Sequence, residues 1–335
     1  MTGGDQQVAD GAGGQGAAAR RAIAKAALFA AKVIVTALCF WYLSRRIDVA
    51  QLLQVLPVFD VRWGVVAVLV AMLQIPLLGL RWCEILDALA LRNARLTRTA
   101  VIGITAIGAF FTQVLPNIAG EGMRVWLAAR LGCDWRNGEL SVLIDRGVGV
   151  GLMVAFAFGI LLVPSALTAL AGYRDLVLDV YGASLLAGAL GLMLTPVIAP
   201  VLERWRYSHW LGTLATAARR VLFGPRGLPI LGIGCAVHAL TIVIIWLLGQ
   251  AQGLTLPMLD SAALFVVMVG IALIPVSVGG WGLRELAVVA LLGDHGVAPE
   301  RALLFSVCFG LVFVIAALPG ALVWMLYSIP QSLVK

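Results

Sequence analysis

A short pattern occurs twice and sets the terms for the rest of the chain. Residues 116–124 read PNIAGEGMR, and residues 275–285 read PVSVGGWGLRE. Each copy begins with proline in an apolar stretch and runs into Gly-x-Gly-x-Arg, at Gly120, Gly122 and Arg124 and again at Gly280, Gly282 and Arg284. The two cores stand 160 residues apart, and the prolines fall one residue out of step because the second copy carries an extra glycine, Gly279. Proline removes a helix donor and glycine frees the backbone, so each copy is expected to break a helix.

The surroundings say where those breaks lie. Of 335 residues, 61% are hydrophobic and only 12% charged, about half the charge of a soluble domain, which makes this an integral membrane protein. A broken helix in lipid is tolerated only where protein or water satisfies its backbone, so the two breaks mark the place where function is built. The net charge of +7 sits in short loops between apolar spans, where it reports topology and contact with anionic lipid. It gives no soluble basic face for nucleic acid. Cys39, Cys83, Cys133, Cys235 and Cys308 follow no disulfide or ligand spacing, and His209, His238 and His295 stand far apart. No metal site and no cofactor is expected. His238, alone in a span, reads as a packed residue.

Residues 1–22 are expected to form a disordered cytoplasmic tail and residues 23–335 a single transmembrane domain. Apolar segments run from residue 26 to Leu43 and over 63–80, 99–116, 140–163, 178–201, 229–250, 261–276 and 302–327. Eight full crossings leave the 24 lysines and arginines without bias, 10 inside, 12 outside and 2, Arg146 and Arg284, within the membrane. If each proline-glycine copy turns the chain back to the side it came from, they divide 16 inside, 5 outside and 3 in the membrane, as the positive-inside rule asks. The return arms, 121–133 and 282–293, would reach only ~18 to 20 Å, short of a ~30 Å hydrocarbon core. The expected fold is all-α, with six full spans, two re-entrant hairpins and both termini cytoplasmic. Span, span, hairpin, span fills repeat one, 26–163, and recurs in repeat two, 178–327. Three crossings per half make the repeats inverted, an architecture common among transporters.

In such a fold each hairpin tip starts a short helix just after Gly-x-Gly, with unpartnered N–H groups and the positive end of the helix dipole. An arginine one turn in adds a full charge with bidentate geometry, so the natural ligand is a phosphate or carboxylate. The candidate contacts are Arg124 and Arg284, with Gly120, Gly122, Gly280 and Gly282 as the backbone cradle. Glu121 and Glu285 stand beside the arginines, and Asp145 with Arg146 lies inside the fourth apolar segment, where charge is expensive unless paired or hydrated. Two readings of these acids stay open: they neutralise neighbouring arginines, or they open when a phosphate competes. Asn117 and Ser277, just after the prolines, either donate to a headgroup or satisfy the freed backbone. Arg81, Trp82 and Glu84 read as interfacial anchors. Arg204, Arg206, Arg219, Arg220 and Arg226, with Trp205, Trp210 and Leu211 among them, suit an amphipathic helix on anionic lipid or a plain topology signal.

Three pieces carry a family resemblance: RW at Arg81 and Trp82, LPNIAGEGMR followed by IDRGVG at 144–149, and PVSVGGWGLRE at 275–285. With them the chain after residue 25 resembles the transmembrane domain of lysylphosphatidylglycerol synthases and their stand-alone flippase-like relatives. The resemblance implies a lipid-translocating module and points to Glu121, Arg124, Arg146, Arg284 and Glu285. Asp145 departs from it, standing where glutamate is expected. The synthases also carry a large soluble catalytic domain, which this sequence does not show up to Lys335, so no lysyl-lipid synthesis and no enzyme activity is expected.

The expected function is a flippase or scramblase for a phospholipid or other anionic or zwitterionic headgroup lipid, in a bacterial-type cytoplasmic (inner) membrane. A GxxxxGK[ST] nucleotide motif does not occur. Transport is then passive or gradient-driven, with Glu121 and Asp145 as candidate proton carriers. The alternatives are a secondary transporter for a small soluble anion and a non-transporting partner of a hopanoid or glycolipid biosynthesis enzyme. Homo-oligomerisation stays open.

Overall fold

The computed structural model describes Ile34, Leu38, Trp41, Tyr42, Arg45 and residues 59–114, 117–163, 174–205, 208–273, 281–294 and 296–326. The tail, most of the first apolar run, both motif prolines, Ser277 and Gly280 lie outside the described residues. Among the described residues the elements are all helices: α1 Val61–Ala88, α2 Arg98–Val114, α3 Asn117–Arg130, α4 Trp135–Leu161, α5 Arg174–Met193, α6 Thr195–Glu203, α7 His209–Phe223, α8 Gly227–Ala251, α9 Met258–Leu273, α10 Leu283–Gly293 and α11 Pro299–Leu326.

The sequence sets these limits locally. Asp60 caps α1 by accepting the Arg62 N–H at 2.9 Å, and Asp134 caps α4 by accepting the Asn137 N–H at 3.2 Å. Five of the described helices, α1, α4, α5, α8 and α11, are long and apolar enough to cross a membrane. Helices α2 and α9 are apolar but shorter, while α3 and α10 have 14 and 11 residues. At 1.5 Å per residue those last two reach ~21 and ~17 Å.

Two expected segments change. The 63–80 segment is part of a 28-residue helix that continues to Ala88, so Arg81, Trp82 and Glu84 belong to a regular helix and not to its end. The 178–201 segment is two helices, parted at Leu194 ahead of Pro196, whose ring cannot continue the α5 ladder. The carbonyls of Leu192 and Met193 there accept from Arg219 at 3.0 and 3.5 Å. Arg219 belongs to α7, the helix expected within the basic loop. Its apolar side, Leu214, Ala217, Ala218, Val221 and Leu222, packs on Ile85, Ile144, Val148 and Ile230.

Helices α1 and α8 lie along each other, and the remaining helices gather round that pair. Helix α1 also packs on α2, α4 and α11, and α8 on α9, α11 and α4. Helix α2 meets α3 and α11; α9 meets α10 and α4; α3 meets α4 and α10 meets α11. The larger core, with Phe265, Phe305 and Ile245, joins α8, α9 and α11, and a second one around Trp82 and Ile104 joins α1, α2 and α3. None of the apolar stretch of α5 is buried, as expected of a helix that faces lipid.

Candidate functional site

Buried charge collects where α1, α3 and α4 meet. Arg81 on α1 donates from Nε to Asp145 Oδ1 at 2.8 Å and from Nη2 to the Asp145 carbonyl at 3.2 Å. Arg124 on α3 donates from Nη2 to the other oxygen, Oδ2, at 2.9 Å, and from Nη1 to Glu121 Oε2 at 2.9 Å. Arg146, next to Asp145 on α4, pairs with Glu121 Oε1. The guanidinium of Arg124 stacks on Trp82 at 4.3 Å, and Trp82 is held by its Nε1 donating to Ser141 Oγ at 3.1 Å. Arg81, Arg124 and Asp145 are all 5% exposed or less. Charges taken this far from water persist only when paired and hydrogen-bonded, which Asp145 achieves by serving two guanidiniums at once.

Arg81, Glu121, Arg124, Asp145 and Arg146 line a cavity of about 310 Å³ between α1, α2, α3, α4, α8, α9 and α11. Gln74, Thr112, Gln113 and His238 add neutral polar groups, while Ile75, Leu78, Val150, Met153, Val269 and Phe313 make an apolar wall. His238 is fixed by a 3.0 Å bond between Nε2 and the Gly149 carbonyl and packs with the rings of Phe156 and Phe265, which also meet each other. Three guanidiniums against two carboxylates leave the charged cluster with one net positive charge. Among the described residues Arg124 Nε is a buried donor without a partner.

Of the two glycines of the first copy, Gly120 acts through packing, while a Cβ on Gly122 would meet nothing within 4 Å. Helix α3 begins at Asn117, ahead of them, so Gly122 lies beyond the four N–H groups that a helix start leaves unpaired. Gly120 sits flush on α2, where a Cβ would overlap Thr112 Oγ1 and the Gly108 carbonyl and lie 2.9 Å from Thr112 N. Gly108 in turn clears the Arg124 stem, since a Cβ on it would come within 2.7 Å of Arg124 Cγ. Small residues thus let α2 and α3 close up and carry Arg124 inward. Gly120→Ala should force the two helices apart and lower stability by about 1–3 kcal/mol, read as a fall in thermal midpoint in detergent.

The second copy is built differently. Gly282, at φ +87°, precedes α10, and its N–H donates to Glu285 Oε2 at 2.5 Å, so the helix start is already capped by the chain's own carboxylate. Arg284 donates to Glu285 Oε1 at 2.7 and 3.0 Å and to Ser306 Oγ at 3.2 Å. It lies over Trp281 at 4.7 Å and Phe309 at 5.6 Å. A Cβ on Gly310 would meet Trp281 and Arg284 within 2.8 Å. Neither Arg284 nor Glu285 lines the cavity. The structure therefore brings Glu121, Arg124, Asp145 and Arg146 together and, among the described residues, leaves Gly282, Arg284 and Glu285 in a separate cluster.

Arg81 is the residue the sequence reading placed elsewhere. It is not an interfacial anchor but a buried partner of Asp145, and Trp82 is the platform for Arg124. Their signal was the tryptophan beside an arginine about two turns before the true helix end. Glu84 does sit among surface charges, pairing with Arg226 at 2.5 Å and with Arg98 at 3.4 Å.

Fold and site together define an integral membrane protein with a charged cavity enclosed by its helices. The family model described as lysylphosphatidylglycerol synthase TM region matches residues 29–320, and the chain belongs to that family. No curated protein matches the chain.

Proposed function

We propose that this protein is a transporter, not an enzyme, which moves a lipid bearing an anionic or zwitterionic phosphate headgroup between the leaflets of a bacterial-type cytoplasmic membrane. The observation that carries the reading is the cavity, whose lining combines an arginine-rich, net positive cluster with apolar side chains. Phosphate suits the guanidiniums, and the glycerol end of a lipid suits the apolar side chains beside them. At about 310 Å³ the space takes a headgroup and not a whole two-chain lipid, so the chains stay in the bilayer as the headgroup passes.

The packing supports an inverted repeat behind this activity. Exchanging α1 with α8, α2 with α9, α3 with α10 and α4 with α11 turns each of the contacts given above among these eight helices into another that also exists: α2 on α11 becomes α9 on α4, and α1 on α11 becomes α8 on α4. Such a two-fold relation, with short α2–α3 and α9–α10 pairs as re-entrant hairpins and both termini cytoplasmic, fits a site reached from alternate sides.

Leaflet exchange tests the reading. Purified protein in liposomes should move fluorescent phospholipid across the bilayer, faster than a neutral glycolipid carrying the same chains. Exchange no faster than in empty liposomes, with and without a proton gradient, would sink it. Uptake of a soluble anion in its place would favour a secondary transporter, and loss of a lipid product in cells without any transport in vitro would favour a partner of a biosynthetic enzyme.

A further inference from the structure

The two carboxylates of the cavity are set in opposite ways. Asp145 is 2% exposed and both of its oxygens are engaged by arginines that are themselves buried. A ligand cannot take its place without dismantling the core of the site. Glu121 stands at the edge of the same cluster with its side chain 19% exposed, and one of its two partners, Arg146, is 53% exposed. Its carboxylate bridges Arg124 and Arg146, one oxygen to each.

A carboxylate across two guanidiniums occupies the position that phosphate oxygens take on the same groups. Phosphate also brings further oxygens, and the buried Nε of Arg124, on the same guanidinium as the Nη1 that Glu121 holds, is a donor still lacking one. Resting on the headgroup-site reading above, we propose that Glu121 is an internal stand-in for the ligand phosphate. It holds Arg124 and Arg146 in place while the site is empty and yields them when a phosphate arrives. It is also a specificity element, because a neutral sugar or hydroxyl headgroup offers too little to displace a carboxylate from two arginines. Asp145 keeps Arg81 and Arg124 in position throughout.

The test is binding of dioctanoylphosphatidylglycerol, inorganic phosphate and neutral dioctanoylglycerol to the full chain in detergent. Glu121→Gln removes the competitor and should bind the short-chain phospholipid about tenfold tighter than wild type. Glu121→Asp keeps the charge on a carboxylate one methylene shorter, which bridges less well, and should bind severalfold tighter. Two results overturn the proposal while leaving the headgroup site intact. In one, wild type binds, Arg124→Ala does not, and both Glu121 variants match wild type. In the other, Glu121→Gln tightens but Glu121→Asp matches wild type, so charge alone acts. Failure of every protein, Glu121→Gln included, to bind either phosphate probe overturns the headgroup site and the proposal together. Inorganic phosphate bound as tightly as the phospholipid, with the same ranking of variants, keeps the role of Glu121 and assigns it to a soluble anion.

Discussion

Asp145→Ala should leave little folded protein. The substitution strands the guanidiniums of Arg81 and Arg124, both 5% exposed or less, without the one carboxylate that they share. Breaking a buried pair by removing one partner costs about 3–5 kcal/mol, and here one carboxylate serves two partners. Loss on this scale is a large part of the stability of most domains. The expected readout is a collapse in monodisperse yield after detergent extraction, or a strongly lowered thermal midpoint. Asp145→Glu keeps the charge and should fold, with the longer side chain shifting the arginines it holds. Normal yield and midpoint for Asp145→Ala would mean that water reaches the two arginines in the folded protein.

Arg124→Ala should remove function with the second-largest effect. Arg124 touches Asp145, Glu121 and the Trp82 ring, it lines the cavity, and its Nε is a buried donor without a partner. Truncating one partner of a hydrogen-bonded charge pair costs roughly 2–5 kcal/mol, so headgroup binding should fall about thirtyfold or more. Arg124→Lys separates charge from geometry: it should fold better than the alanine variant yet recover little binding, because an ammonium cannot span both carboxylates. Arg284→Ala gives the contrast. Its partners among the described residues are Glu285, Ser306, Trp281 and Phe309, none of them shared with Arg124, so its loss should lower stability while the protein that still folds retains exchange. Equal loss of binding per folded molecule in Arg124→Ala and Arg284→Ala would instead place both motif copies at one ligand.

Much of this was legible in the sequence, and the limits have physical reasons. Hydropathy and the length of the motif arms pointed to an all-helical membrane protein, and the three motif pieces pointed to the family. The residues next to Arg124, namely Glu121, Asp145 and Arg146, were candidates because charge inside apolar segments must be paired. What the pattern hid is the unequal fate of its two copies. Gly-x-Gly-x-Arg is the same in both, yet at the 160-residue offset Glu121 is answered by Trp281, and Asp145 and Arg146 by Phe305 and Ser306. The second copy has Phe305 where the first has Asp145, and among the described residues Arg284 pairs instead with the adjacent Glu285. Arg81 was missed because arginine and tryptophan at the edge of an apolar run usually mark the membrane interface. Only the continuation of α1 to Ala88 carries Arg81 into the core. Gly120 and Gly122 read as an anion cradle on the expectation that the helix begins after them; with α3 beginning at Asn117, Gly120 serves the α2 contact instead.

The central claim is that a lipid headgroup enters the cavity beside Arg124. It is tested most directly by irradiating the protein in bilayers with a phospholipid that carries a photoreactive group on its headgroup, and mapping the adducts. The account predicts adducts on residues that line the cavity, such as Gln74, Gln113 and Val150, which disappear in Arg124→Ala. Adducts confined to outward-facing residues such as Leu186 and Leu322, unchanged in Arg124→Ala, would contradict it.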